Sequence, residues 1–253
     1  MNKNILRQIL VILATLATIL VNGLATTLPI NGKTPEEISD SFDVFFVPAG
    51  YVFSIWGLIY LFLIGYSIFQ AFPAQRENPA LQKTGYLYVG SAFSNIIWIF
   101  LWHYEFFPLS VIAMLSLLGC LIAIYLRLGI GKAQVPATEK WLVHITFSIY
   151  LGWITVATIA NITTLLDYLE WGGWGISPEV WTLLMLTAAT IISGMMSFTR
   201  ADIAYTLVLI WAFLGIAVKH QDVTIIAAGA IVSAIFAGLL LTVGVALKPK
   251  KPS

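Results

Sequence analysis

The sequence predicts an all-α fold, a polytopic transmembrane helical bundle of about eight spans with the N-terminus and C-terminus cytoplasmic. Three observations carry that reading. Of the 253 residues, 59% are hydrophobic and 10% charged, with a mean hydropathy of +0.91; a water-soluble domain of this length cannot hide so much apolar surface. The apolar residues gather in runs of about 20, the length at which a helix crosses hydrocarbon while satisfying its own backbone hydrogen bonds. Nearly all the charges lie between those runs or at their ends and change bias from one connection to the next.

The spans run over 9–24, 51–72, 85–102, 108–128, 141–166, 180–198, 201–218 and 224–247. Lys3 and Arg7 precede the first, which ends at Gly23-Leu24-Ala25. That pattern also fits a secretory signal, but the run is long for a signal core, and a retained span is the expectation. Pro73 and Pro79 part the second span from the third, Pro108 opens the fourth and Pro136 precedes the fifth. Ser177-Pro178-Glu179 reads as an N-cap, a first-turn proline and a dipole-favoured carboxylate at the head of the sixth. Apart from an outer loop over 25–48, the connections are short and leave no room for a separate soluble domain.

Lys and Arg are retained on the cytoplasmic side. With the amino terminus inside, the inner segments hold Lys3, Arg7, Arg76, Lys83, Arg127, Lys132, Lys140, Arg200, Lys248, Lys250 and Lys251, and only Lys33 and Lys219 lie outside. Most acids fall outside, with Glu77, Glu139 and Asp202 the inner exceptions. The formal net charge of +1 thus hides a polarised molecule and gives no sign of nucleic acid as a partner. The lone Cys120 sits within a span, so no intramolecular disulfide is possible.

Ionisable groups are sparse within the spans, whereas pumps and ion-coupled transporters place them near the bilayer middle. His144, near the inner end of the fifth span, reads as an interfacial histidine reaching toward headgroups, with haem ligation as the alternative. His103 and His220 fall at outer ends. No metalloprotease, phosphate-loop or nucleophile-elbow motif is present, and no metal site or required cofactor is expected. Leu121, Tyr125 and Arg127 match a weak sterol-recognition pattern, beside the plainer reading of a helix end with a basic anchor.

The spans do carry aromatic and amide side chains at helical spacing. Phe53, Trp56 and Tyr60 share a face of the second, as do Ser91, Asn95, Trp98 and Trp102 in the third and Tyr150, Trp153, Ala157 and Asn161 in the fifth. An amide in hydrocarbon needs a partner, so these faces are expected to turn inward. Periodicity alone leaves helix packing and a ligand pocket equally open. Trp102, Tyr104, Tyr168, Trp171, Trp174 and Trp181 are expected in an outer aromatic belt. Ala227, Ala230, Ala234 and Gly238 give the last helix a smooth stripe on which a neighbour, within the chain or across a homodimer, is expected to pack.

At the aromatic stripes the sequence resembles the TspO family, the tryptophan-rich sensory proteins that include the translocator or peripheral benzodiazepine receptor. The stretch from Phe46 through Pro48, Tyr51, Phe53 and Trp56 to Tyr60 is similar to the P-P-x-W-V-F-x-x-V-W-T-x-L-Y of that family's second helix. Asn95-Ile96-Ile97-Trp98 is similar to the L-N-x-x-W of its third, and Tyr150, Trp153, Ala157 and Asn161 fall in register with the P-Y-L-x-W-x-x-F-A-x-x-L-N of its fifth. Tyr51 stands where the family has tryptophan, and Ile149 where it has proline.

The resemblance covers roughly residues 1–170, implying a five-helix TspO-like unit followed by a three-helix extension and basic tail over 171–253, without counterpart in the five-helix pattern. It implies a receptor or sensor, in a bacterial-type plasma membrane, for a planar hydrophobic ligand such as a porphyrin, another tetrapyrrole or a sterol-like molecule. The alternative is a transporter of such a metabolite. The residues it implicates are Tyr51, Phe53, Trp56, Tyr60, Asn95, Trp98, Tyr150, Trp153, Ala157 and Asn161, with the outer loop as a lid. Enzymatic turnover would have to be light-dependent degradation of a bound porphyrin, since no acid–base pair is in view.

Overall fold

In a computed structural model, which describes residues 2–28 and 30–247, the chain is a bundle of long helices with no strand among the described residues. The tail lysines Lys248, Lys250 and Lys251 lie outside the described residues. In chain order the helices are α1 (Lys3–Thr27), α2 (Pro35–Asp40), α3 (Ile55–Ala71), α4 (Pro79–His103), α5 (Phe107–Arg127), α6 (Ala137–Glu139), α7 (Thr146–Tyr168), α8 (Pro178–Arg200), α9 (Ile203–Lys219) and α10 (Thr224–Ala246). A 3₁₀ stretch, Gly50–Ser54, leads into α3, and a wide π-helical turn, Lys140–Ile145, joins α6 to α7.

Seven of these segments are long and apolar enough to cross a membrane, and α9 is a shorter apolar helix of 17 residues. At 1.5 Å per residue α9 reaches about 25 Å, less than the roughly 30 Å of hydrocarbon. Each of the eight expected spans thus corresponds to an apolar helix, seven of them of spanning length and the seventh in order a shorter one. Several helices outrun their apolar cores because polar residues cap them. Asn78 accepts hydrogen bonds from the N–H groups of Ala80 and Leu81, with Pro79 as the first helical residue. Asn2 caps α1 in the same way. Ser177 does occupy the N-cap position of α8 with Pro178 behind it, but its hydroxyl makes no capping bond.

Alternating helix directions sort the polar contacts to two ends. At the end carrying the amino terminus, Gln8 donates to the Gln70 carbonyl at 2.6 Å, Arg7 to the Arg76 carbonyl at 3.0 Å, and Arg127 to that of Lys83 at 2.9 Å. At the other end Lys33 pairs with Glu105 and Lys219 with Asp40. α4 packs between α1 and α5, α7 contacts α3, α5 and α9, and α8, α9 and α10 form a mutually packed trio.

The trio is joined to the rest through α9. Gly152 of α7 lies so close to α9 that a Cβ would stand 3.1 Å from both the Tyr205 carbonyl oxygen and the Val208 Cβ. α10 packs on α8 and α9 within the chain, with Ala230 and Ala234 of the stripe buried, Ala227 and Gly238 half-buried, and Ala237 beside the stripe buried as well. A Cβ on Gly244 would meet the Ser197 carbonyl oxygen at 2.5 Å, so α8 and α10 cross there with backbones touching.

Candidate functional site

Three inward faces meet beneath the loop that precedes α3. Trp56 stacks on Tyr60 at 5.6 Å and meets Trp153 edge-on at 6.2 Å, while Phe53 meets Trp153 at 5.8 Å. On α4, Trp98 stacks on Trp102 at 5.7 Å and donates its indole N–H to the Asn161 side-chain oxygen at 3.0 Å. The Asn161 amide nitrogen in turn donates to the Ser110 hydroxyl at 3.0 Å. Between these groups lies a small, almost wholly apolar cavity of ≈ 50 Å³, whose walls include Phe53, Trp56, Trp98, Trp153, Ala157 and Asn161.

Six of the ten implicated residues thus share one cavity, and four lie elsewhere. Tyr60 and Tyr150 back the wall, Tyr150 lying edge-on to Trp56 at 6.1 Å. Asn95 is fully buried but faces α1, accepting from the Asn22 amide at 2.7 Å. Tyr51 is 47% exposed and leans on Trp211 of α9 at 5.3 Å.

The cavity holds unmet polar groups. The indole N–H of Trp153 and the hydroxyl of Thr164, both on lining residues, are buried without a hydrogen-bond partner. A buried donor left unpaired costs about 1–3 kcal/mol. Such a group marks a place where an acceptor atom would be favourably received.

Pro35, Ser39, Val47 and Pro48 close the cavity from the outer loop. The short α2 is held by a capping box, in which Thr34 and Glu37 exchange side-chain-to-backbone bonds. The bond from the Thr34 backbone N–H holds the Glu37 carboxyl below its ordinary pKa. The loop is tied down by the Trp102 indole donating to the Pro35 carbonyl at 3.2 Å and by the ion pairs of Lys33 with Glu105 and Lys219 with Asp40. Ala49 donates to the Gly215 carbonyl at 3.1 Å. Phe45 lies edge-on to His220, whose imidazole pKa burial lowers.

Trp102 is accordingly no belt residue. It is 4% exposed and lines the cavity, because the loop folds over the helix end that composition alone would leave at the interface. Its place one turn beyond Trp98 was the available signal. Trp171, Trp174 and Trp181 do cluster with one another at the loop between α7 and α8, where Trp174 is 81% exposed.

A second constellation at the opposite end escaped the sequence reading. Asp202, buried between α8 and α9, accepts from the Tyr125 hydroxyl at 2.8 Å, the Ser148 hydroxyl at 2.7 Å and the Tyr205 backbone N–H at 3.1 Å, capping α9. The sterol-recognition pattern therefore points inward, with Leu121 and Tyr125 both buried. His144, expected exposed at the interface, is instead buried, and its Nε2 has no partner.

A family model described as TSPO-like protein matches residues 8–243. The match runs through α10 and so is not confined to the first five spans. No match is found among curated proteins or among solved structures.

Proposed function

Because this chain belongs to the TSPO-like protein family and is an integral multi-pass membrane protein, we propose that it is a receptor or sensor for a planar hydrophobic molecule, bound in the aromatic cavity between α3, α4 and α7. The ligand class is a porphyrin or other tetrapyrrole, or a sterol-like compound. The observation that carries this reading is the unpartnered Trp153 N–H in a cavity walled by Phe53, Trp56, Trp98 and Trp102. Flat rings offer stacking area, and an unpaired donor orients a ligand's polar edge. In this reading the Trp98–Asn161 bond braces the wall, and the end of the bundle rich in Lys and Arg faces the cytoplasm.

At ≈ 50 Å³ the cavity has room for little more than water, so a larger ligand enters only when a wall parts. The loop is the wall that can. Its two exposed ion pairs are worth about 0–1 kcal/mol each and its hydrogen bonds about 1 kcal/mol each. Lifting the whole loop would also expose Ile38, Phe46 and Val47, whose burial is worth about 1.5–3 kcal/mol each, so a partial opening is what a ligand burying aromatic area recovers.

Trp153→Phe tests the reading, since it removes the indole N–H and part of the stacking surface while keeping most of the bulk. Porphyrin affinity, followed by quenching of tryptophan fluorescence, is expected to fall several-fold, on the order of 1 kcal/mol. Ala157→Leu, which fills the cavity, is expected to weaken binding as well. Wild-type affinity in both variants, each well folded, would move the stripes to a packing role. Porphyrin flux across liposomes containing the protein would favour the transporter instead.

A further inference from the structure

A larger space than the aromatic cavity runs along the outside of α7, between α3 and α9. It measures ≈ 1000 Å³, and its walls are Leu58 and Phe62 on one side and Leu207 and Trp211 on the other. Leu58, Leu207 and Trp211 are 43%, 52% and 37% exposed, so the walls open sideways toward lipid rather than toward water. Trp211 donates its indole N–H to the Val52 carbonyl at 3.2 Å and meets Tyr51 edge-on, which braces this side chain across from α9 to the start of α3.

Apart from Ser54 at the start of α3, the polar residues of the groove come from the end of the bundle that carries the amino terminus. Gln134, Lys140, His144, Ser148 and Asp202 line it there, with Lys132 in the adjoining loop. Trp141, 59% exposed, belongs to the same lining and is the side chain expected at headgroup level. Asp202 is the one acid of the lining, and its carboxylate is committed to Tyr125, Ser148 and the Tyr205 N–H at the positive end of the α9 dipole. Neighbouring Glu139 is buried and accepts from Asn78. The Lys140 ammonium is an exposed cation of the lining. His144, 5% exposed, rides on the π-helical turn Lys140–Ile145, a widening that recurs at functional sites, and its Nε2 is buried without a partner.

We propose that this groove binds an anionic phospholipid, its phosphate headgroup received by Lys140 and His144 and its acyl chains lying between α3 and α9. The volume stands at the top of the range for single small-molecule pockets, which suits two chains better than one. The lateral opening admits a lipid directly from its leaflet. The site shares no lining residue with the aromatic cavity, so it stands or falls separately from the receptor reading.

Delipidated protein in detergent, titrated with phosphatidylglycerol, phosphatidylcholine of the same chains, and palmitate, tests the proposal by native mass spectrometry. Phosphatidylglycerol is expected to bind more tightly than phosphatidylcholine by about fivefold, the contribution of one basic side chain at a membrane surface. Lys140→Gln, an exposed change that leaves the fold intact, is expected to erase that preference, and Leu207→Trp to weaken both phospholipids by filling the groove. His144→Gln is expected to retain more binding than His144→Phe. Equal affinity for the two phospholipids overturns the proposal, as does a preference that survives Lys140→Gln or phospholipid binding unchanged in Leu207→Trp. Palmitate binding without phosphatidylglycerol binding overturns it too.

Discussion

α7 and α10 are apolar helices of 23 residues each, yet 72% of the apolar stretch that includes α7 is buried inside the bundle against 28% for α10. α10 is held by smallness. Ala230, Ala234, Ala237 and Gly244 let α8 and α9 approach closely, and the opposite face meets lipid through Ile231, Ile235 and Leu239. α7 is held by polar contacts as well as packing: Ser148 to Asp202, Thr155 to Tyr205, and Asn161 to Trp98 and Ser110. A central helix in a membrane has no water to turn to and must find partners for its polar groups among its neighbours. A peripheral one has few such groups to satisfy.

This contrast breaks most visibly at Asp202. Asp202→Ala leaves the Tyr125 and Ser148 hydroxyls and the α9 N-terminus without their shared acceptor, and a loss of about 3 kcal/mol is expected, read as a lower Tm in detergent. A Tm within error of wild type would mean that the network adds nothing to the α7–α9 contact. On α10, Gly244→Ala places a methyl against the Ser197 backbone and is expected to cost about 2 kcal/mol, with ligand binding at the aromatic cavity unchanged. If it costs more than Asp202→Ala, backbone proximity outweighs polar pairing in this bundle.

Two tryptophans on facing helices sharpen the comparison further. Trp98→Phe removes a made bond and leaves the Asn161 oxygen only the longer contact from the Ser110 hydroxyl at 3.4 Å, so it is expected to destabilise by about 1–2 kcal/mol. Trp153→Phe removes an N–H that has no partner, and its unfolding free energy is expected to stay within about 0.5 kcal/mol of wild type. Equal losses in the two variants would mean that the Trp153 N–H does have a partner in the unliganded protein.

The number and order of the spans were legible because apolar run length and helix caps are local properties, as Asn78-Pro79 ahead of α4 illustrates. The family resemblance was legible at Trp56, Trp98 and Trp153, which do converge. Helical spacing gives the face of a side chain but not the neighbour it meets. Asn95 and Trp98 lie three residues apart on α4, yet one bonds to α1 and the other to α7. Trp102 was misplaced because its burial depends on a loop distant in sequence. Asp202 read as an ordinary inner acid, although an Asp directly before an apolar run is a helix-start signal; its other partners, Tyr125 and Ser148, come from helices far along the chain.

The turn between α8 and α9 bears on how the carboxyl-terminal third is seated. Two residues, Ala201 and Asp202, link the helices, and Ala201 takes a left-handed φ of 49° to reverse the chain. So short a connection makes the pair an antiparallel helical hairpin, the 23-residue α8 lying against the 17-residue α9. Its carboxylate finds its hydroxyl donors only on α5 and α7, both synthesised earlier. The contacts that seat the carboxyl-terminal third thus reach back to helices that precede it in the chain.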